Sequence, residues 1–285
     1  MTTAGNQQRQ VVVETDWVAE HLNDPNVRLV EVDVDTSAYD TGHIPGAVGW
    51  NWQTDLQRHP VRDIPTEQEW AALLGRSGIG NDTTVVLYGD NHNWFAAFAY
   101  WLFRMYGHQD VRLMNGGRAK WLAEDRPLTT EAPRIEPRQY QASEFNADLR
   151  AYRDNVQRAI NQPGSAMVDV RSPAEFSGKL LAPENLPQEG AQRGGHVPSA
   201  ANVPWSTAVA PDGTFKPLDE LRQIYGGVGV TPDKDVIAYC RIGERSAHTW
   251  FVLHELLGYP NVHNYDGSWT EWGSLIGAPI ATGEE

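Results

Sequence analysis

The sequence predicts an α/β fold in two tandem copies, each a mostly parallel sheet with helices on both faces. Three observations carry this expectation. The chain repeats itself: Val236-Ile237-Ala238-Tyr239-Cys240 answers Val85-Val86-Leu87-Tyr88-Gly89 at an offset of 151 residues, and the same offset sets Gly258 on Gly107, Val262 on Val111, Gly267 on Gly116 and Trp272 on Trp121. Short runs of strand-forming residues alternate with segments of helical periodicity, as parallel strands joined by helical crossovers require. A length of 285 residues exceeds one typical core and suits two domains of ordinary size.

In the first copy, Thr15 N-caps a short helix and Arg28–Val32 forms a strand. The turn Gly42-His43-Ile44-Pro45 follows, then a helix over Thr66–Ser77, a strand over Thr84–Tyr88, a helix over Trp94–Tyr106 and a strand over Val111–Met114. In the second copy Ala166-Met167-Val168-Asp169-Val170 answers Leu29-Val30-Glu31-Val32-Asp33, and Gly195-His196-Val197-Pro198-Ser199-Ala200 answers Gly42-His43-Ile44-Pro45-Gly46-Ala47. The offset changes between these matches, so the second copy carries an insertion. Lys179–Gly194, rich in Pro, Gly, Gln and Glu, has the composition of that surface loop. The strand Val236–Tyr239 ends at Cys240, the loop Arg241-Ile242-Gly243-Glu244-Arg245 follows, and Ala247, Trp250, Phe251, His254 and Leu257 recur at helical spacing, which predicts one buried helix face. Gly258 and Pro260 stop that helix. Prolines 127, 133 and 137 mark a linker, dividing the chain into 1–126, 127–141 and 142–285.

Composition narrows the function classes. A formal charge of −14 argues against nucleic acid and anionic membrane as partners, since both need a basic footprint. An anionic ligand would be repelled by the global field, so its site must be small, deep and locally supplied with arginines and backbone amides. No apolar run reaches membrane-spanning length and Met1–Gln10 is polar, so the expected location is cytoplasmic. The single cysteine excludes an intramolecular disulfide.

That cysteine, Cys240, stands where a strand gives way to a loop and then a helix. Loop amides, the positive helix end and the guanidinium groups of Arg241 and Arg245 all favour thiolate, so a nucleophile of lowered pKa is expected. The backbone N–H groups of Arg241, Ile242, Gly243, Glu244, Arg245 and Ser246 can converge on its sulfur as an anion cradle. The first copy has no such site: Gly89 replaces the cysteine, Asp90 replaces Arg241 and Trp94 replaces Arg245. His43 and His196 follow glycines in turns and are expected to organise them, while His254 and His263 read as packing or surface residues. No histidine has metal-ligand spacing, and no metal is expected.

Three stretches resemble the rhodanese family of sulfurtransferases in its tandem two-domain form. Tyr39-Asp40-Thr41-Gly42-His43-Ile44-Pro45-Gly46-Ala47 is similar to the family's N-terminal signature. Val262-His263-Asn264-Tyr265-Asp266-Gly267-Ser268-Trp269-Thr270-Glu271-Trp272 fits its C-terminal signature. Cys240 to Arg245 occupies the six-residue active loop, of the type seen in actinobacterial members. The resemblance spans nearly the whole chain. It implies two rhodanese-like domains, the first catalytically inactive, with no cofactor. It also implies a thiosulfate sulfurtransferase in which Cys240 takes the sulfane sulfur of thiosulfate as a persulfide and passes it to cyanide, a thiol or a thioredoxin-like protein. Arg245 is the first expected donor-binding residue and Arg171, matching an arginine of the family's donor pocket, the second. Arg241 adds field or points to solvent. Two Arg against one Glu make the loop net positive, which favours thiosulfate over 3-mercaptopyruvate. A cysteine phosphatase or arsenate reductase is disfavoured because only four residues separate Cys240 from Arg245 where phosphatase loops place five. A sulfur-carrier or binding module with a protein partner is the non-enzymatic alternative.

Overall fold

A computed structural model describes residues 10–143, 145–182 and 190–283, so the middle of the predicted insertion, 183–189, lies outside the described residues. The first sheet runs in the order β1-β5-β4-β2-β3, built from β1 (Val12–Val13), β2 (Val27–Asp33), β3 (Val48–Asn51), β4 (Thr84–Tyr88) and β5 (Val111–Met114). The second runs β7-β6-β8-β9, from β6 (Ser165–Asp169), β7 (Ala200–Asn202), β8 (Asp235–Tyr239) and β9 (Val262–Tyr265). Every pairing between these nine strands is parallel. The repeat is visible in register: β2 pairs β4 in the first sheet as β6 pairs β8 in the second. What β1 does beside β5 is reduced in the second sheet to a single parallel bridge from Arg150 to Asn264 on β9. The central strands are buried on both faces, as apolar parallel strands under helices must be.

Helices flank the sheets: α1 (Thr15–Glu20), α2 (Ser37–Thr41), α3 (Trp52–Asp55), α4 (Glu67–Arg76), α5 (Trp94–Met105) and α6 (Gly117–Ala123) in the first half, then α7 (Arg153–Ala159), α8 (Pro173–Phe176), α9 (Leu218–Gly226), α10 (Glu244–Trp250) and α11 (Ser268–Trp272). Thr66 caps α4 through a reciprocal box with Glu69. Thr15 does not cap α1. Glu14 holds that position, and Thr15 is turned inward, where its hydroxyl donates to Glu124 Oε2 at 2.6 Å. Segment 127–141 carries no helix or strand and is held along the first half by His43–Thr129 backbone bonds and by Arg138 N–H on the Gly75 carbonyl.

The helix after Cys240 departs from the expectation of one buried face. Every residue from Glu244 to Leu253 is buried, and after Trp250 the helix widens into a π turn over Phe251–Leu256. The reason is a second partner. One side of α10 covers its own sheet, and the other packs on α5, itself apolar on nearly all sides, with Tyr100 edge-on to Phe251 at 4.7 Å. One buried apolar cluster therefore runs across both halves. Arg104 on α5 adds an ion pair to Glu255 at 3.0 Å. No helix among the described residues is long and apolar enough to cross a membrane.

Candidate active site

Cys240 leaves the carboxyl end of β8, where open parallel sheets bind ligands. The loop that follows can turn because Gly243 adopts φ 101°, and a Cβ there would lie 2.8 Å from the Asp266 backbone. Gly243 directs its N–H at the sulfur, 3.1 Å away. The loop is pinned from behind by the β9–α11 segment. Cys240 N–H donates to Ser268 Oγ at 3.1 Å, its carbonyl accepts from Trp269 N–H, and the Arg241 carbonyl accepts from Thr270 N–H and Oγ1. Ser246 Oγ donates to Asn264 Oδ1 at 2.7 Å, and Asn264 Nδ2 returns a bond to the Gly243 carbonyl at 3.1 Å. From the first half, Arg62 Nη2 reaches the Ile242 carbonyl at 2.6 Å and the Asp266 carbonyl at 3.0 Å.

The electrostatics correct the expectation of a depressed thiol pKa. Cys240 is fully buried, and this desolvation, with the Glu244 carboxylate beside it, pushes the thiol above its ordinary value. Arg245 and the N–H and hydroxyl of Ser246 pull the other way without reversing the sign. Cys240 Sγ lies 3.4 Å from Glu244 Oε2, close enough to donate to it. Strand-loop-helix placement supplies the stabilising dipoles, but burial and a loop carboxylate outweigh them.

Arg245 is also buried, at 6% exposure, and its guanidinium fork is filled by Glu175 of α8: Nη1 to Oε2 and Nη2 to Oε1, each at 3.1 Å. Burial opposes its charge, but Cys240, Glu175 and Glu244 more than offset this and hold it firmly cationic. Glu175 is buried too. Burial would raise its carboxyl, yet Arg245 and the Ser172 bonds bring it below the usual range. Glu175 was not among the expected site residues; its signal is the Ser172-Pro173-Ala174-Glu175 capping box, whose glutamate does double duty. Counting Glu175, two arginines face two glutamates, so the loop's surroundings are not net positive.

Arg171 is corrected more strongly. It has no exposed surface, and its guanidinium bonds Asp169 and the Gly195 carbonyl and lies over the Trp269 ring at 4.5 Å. That is a buried ion pair, with Nη1 left without a hydrogen-bond partner among the described residues. Arg241 does not point to solvent; it is 3% exposed. His43 and His196 tie their turns to other segments, His43 bonding the Tyr39 carbonyl through Nδ1 and stacking on that ring, and His196 doing the same with Phe176 of α8.

The corresponding loop of the first half has no room for a nucleophile. A Cβ at Gly89 would lie 2.4 Å from the Val32 carbonyl oxygen. Asn91, His92 and Asn93 are all left-handed, and Asn93 Oδ1 takes the Gly89 N–H at 3.0 Å. Between the halves, a cavity of about 310 Å³ opens beside the active loop, lined by Arg62, Asp63 and Phe98 on one side and Arg150, Ile242 and Asp266 on the other.

Comparison with known proteins agrees with this architecture. The rhodanese-like domain matches twice, over residues 14–124 and 153–275. The chain is 58% identical over 279 residues to a Thermus thermophilus protein described as "Sulfur carrier protein TtuD", covering 97% of this chain and 98% of the relative. It is 58% identical over 276 residues to a Saccharopolyspora erythraea protein described as "Putative thiosulfate sulfurtransferase", covering 97% and 98%. Among solved structures, EanB with ergothioneine covalently linked to a persulfide cysteine superposes with a TM-score of 0.82 at 25% identity, over 96% of this chain and 70% of that one.

Proposed function

Since the chain belongs to the rhodanese family, we propose that it is a sulfurtransferase moving the sulfane sulfur of thiosulfate to cyanide or a thiol through a persulfide on Cys240. The observation that carries this reading is the Gly243 N–H at 3.1 Å from a cysteine sulfur at the head of a buried helix, with the fixed charge of Arg245 beside it. The thiolate attacks the outer sulfur of thiosulfate, the sulfur–sulfur bond breaks and sulfite leaves with its electron pair. Cyanide or a thiolate then attacks the outer sulfur of the persulfide, and Cys240 leaves as thiolate. No metal or organic cofactor enters either step. The cavity beside Ile242 is the proposed route by which donor and acceptor approach. Arg245, its fork already filled by Glu175, acts on Cys240 through its charge. Residues 142–285 are proposed as the catalytic domain and 1–126 as an inactive wall, joined by 127–141.

A second reading, a sulfur carrier serving a protein acceptor, is favoured by the carrier description of the Thermus relative. Turnover separates the two. Repeated conversion of thiosulfate and cyanide to thiocyanate identifies the enzyme, whereas a single equivalent released per chain identifies the carrier. Parallel kinetics with 3-mercaptopyruvate test the donor.

A further inference from the structure

Three carboxylates surround the active loop, and they are not equivalent. Glu175 is gripped by the two terminal nitrogens of Arg245. Asp266 is gripped by Arg150, Nε to Oδ1 at 2.8 Å and Nη2 to Oδ2 at 2.9 Å. Glu244 is different. Its Oε1 stands 3.6 Å from Arg245 Nε, beyond hydrogen-bond length, and its Oε2 faces the Cys240 thiol at 3.4 Å. Its side chain is 3% exposed, so water does not compete for it. A buried carboxylate in contact with the nucleophilic sulfur can exchange a proton with it without changing the total charge of the cluster. Among the described residues, Arg245 of α10 lies beside this pair, Glu175 of α8 fills the Arg245 fork, Asp266 stands behind Gly243, Arg62 from the first half bonds the Ile242 carbonyl, and Arg241 follows Cys240 in the chain.

We infer that Glu244 is a catalytic proton acceptor and donor for Cys240, taking the thiol proton as the nucleophile forms and later taking the proton of a thiol acceptor. This rests on the persulfide reading of Cys240. In the first half-reaction the proton passes from Sγ to Oε2, the thiolate pair forms the bond to the sulfane sulfur, and sulfite departs. Glu244 then protonates the outer persulfide sulfur and is again a carboxylate. An incoming thiol gives its proton to Oε2, and its sulfur attacks the outer sulfur. The product persulfide leaves, and the Cys240 thiolate recovers the proton from Glu244. One proton and one sulfur are conserved throughout. An acceptor with no proton to lose, such as the sulfite dianion, needs no base in the second step, so Glu244 separates acceptors by class.

The test is single-turnover discharge of persulfide-loaded wild type, Glu244→Gln and Glu244→Asp by 2-mercaptoethanol and by sulfite at one pH. Loading is first checked by mass. Glu244→Gln should lower the ratio of thiol to sulfite discharge about 100-fold. Its thiol rate should climb about tenfold per pH unit as the free thiol ionises, where the wild-type rate is nearly flat. Glu244→Asp, which keeps a carboxylate, should hold the flatter profile and an intermediate ratio. A ratio unchanged within about threefold, with both rates falling together or neither falling, overturns the proposal and leaves Glu244 a packing residue. A steep Glu244→Asp profile matching Glu244→Gln also counts against it. Failure of the wild type to gain sulfur from thiosulfate overturns the persulfide reading itself, a result distinct from loss of the acceptor ratio.

Discussion

Glu175 accepts both terminal nitrogens of Arg245 at 3.1 Å, joining α8 to the first turn of the helix that carries the active loop. Both partners are buried, so removing one strands the other's charge. Glu175→Ala should cost about 3–5 kcal/mol of stability, read from denaturant midpoints. A loss below about 1 kcal/mol would mean the pair is solvated in solution, as exposed pairs are.

Arg245→Lys keeps a positive charge but cannot fill both oxygens of Glu175. Its kcat/KM for thiosulfate should fall about 10-fold or more, with the fold retained by circular dichroism, because an ammonium drawn to one Glu175 oxygen no longer holds its charge in the same place beside Cys240. An unchanged kcat/KM would show that the guanidinium's placement between Glu175 and Cys240 does not matter to the reaction.

The thiol of Cys240 is raised by burial and by Glu244, which links stability to alkaline pH. Above about pH 8.5 the unfolded thiol loses its proton while the folded one keeps it, so the native state binds more protons. Stability from this group is fully present below that pH and declines as pH rises toward the folded value. Cys240→Ser should flatten the alkaline decline in denaturant-measured stability; identical profiles would show that the thiol is not raised.

His248, one turn beyond Glu244, is buried against Trp205 and Phe215 with neither ring nitrogen hydrogen-bonded among the described residues; burial, with His92 adding to it, lowers its pKa to about 3. The folded state keeps it neutral while the unfolded chain protonates it below about pH 6.5, so stability is lost as pH falls from there toward 3. His248→Phe should reduce the acid loss between about pH 6 and 4 in thermal melts. An unaltered acid limb would contradict the burial of a neutral ring.

Gly89→Cys tests whether the first half is merely missing a thiol. With a Cβ placed 2.4 Å from the Val32 carbonyl oxygen, the substitution should destabilise by about 1–3 kcal/mol and gain no sulfur from thiosulfate. A sulfur adduct at position 89 would show that the loop can form a cradle after all.

What the sequence disclosed follows from how local each cause is. The strands Thr84–Tyr88 and Val111–Met114, the helix near Thr66–Ser77 and the two-sheet duplication are legible because apolar periodicity and an internal repeat are local signals. The cap at Thr15 was misplaced by one residue because its hydroxyl serves Glu124, 109 residues away. For the helix after Cys240, periodicity along the chain predicts one buried face because it registers only one partner; α5 is the other. The thiol's electrostatics failed for the same reason. Helix dipole and loop arginines can be read along the chain, whereas full burial and the Glu175 fork on Arg245 exist only after α8 and the first half close around the loop. Arg171 sat in the motif but is claimed by Asp169 two residues before it.

The most direct measurement is the intact mass of the wild type and of Cys240→Ser after incubation with thiosulfate and removal of excess donor. A Cys240 persulfide requires a gain of one sulfur atom on the wild type, lost again on adding cyanide, and no gain on Cys240→Ser. An unmodified wild-type mass, or a gain that survives in Cys240→Ser, would contradict it.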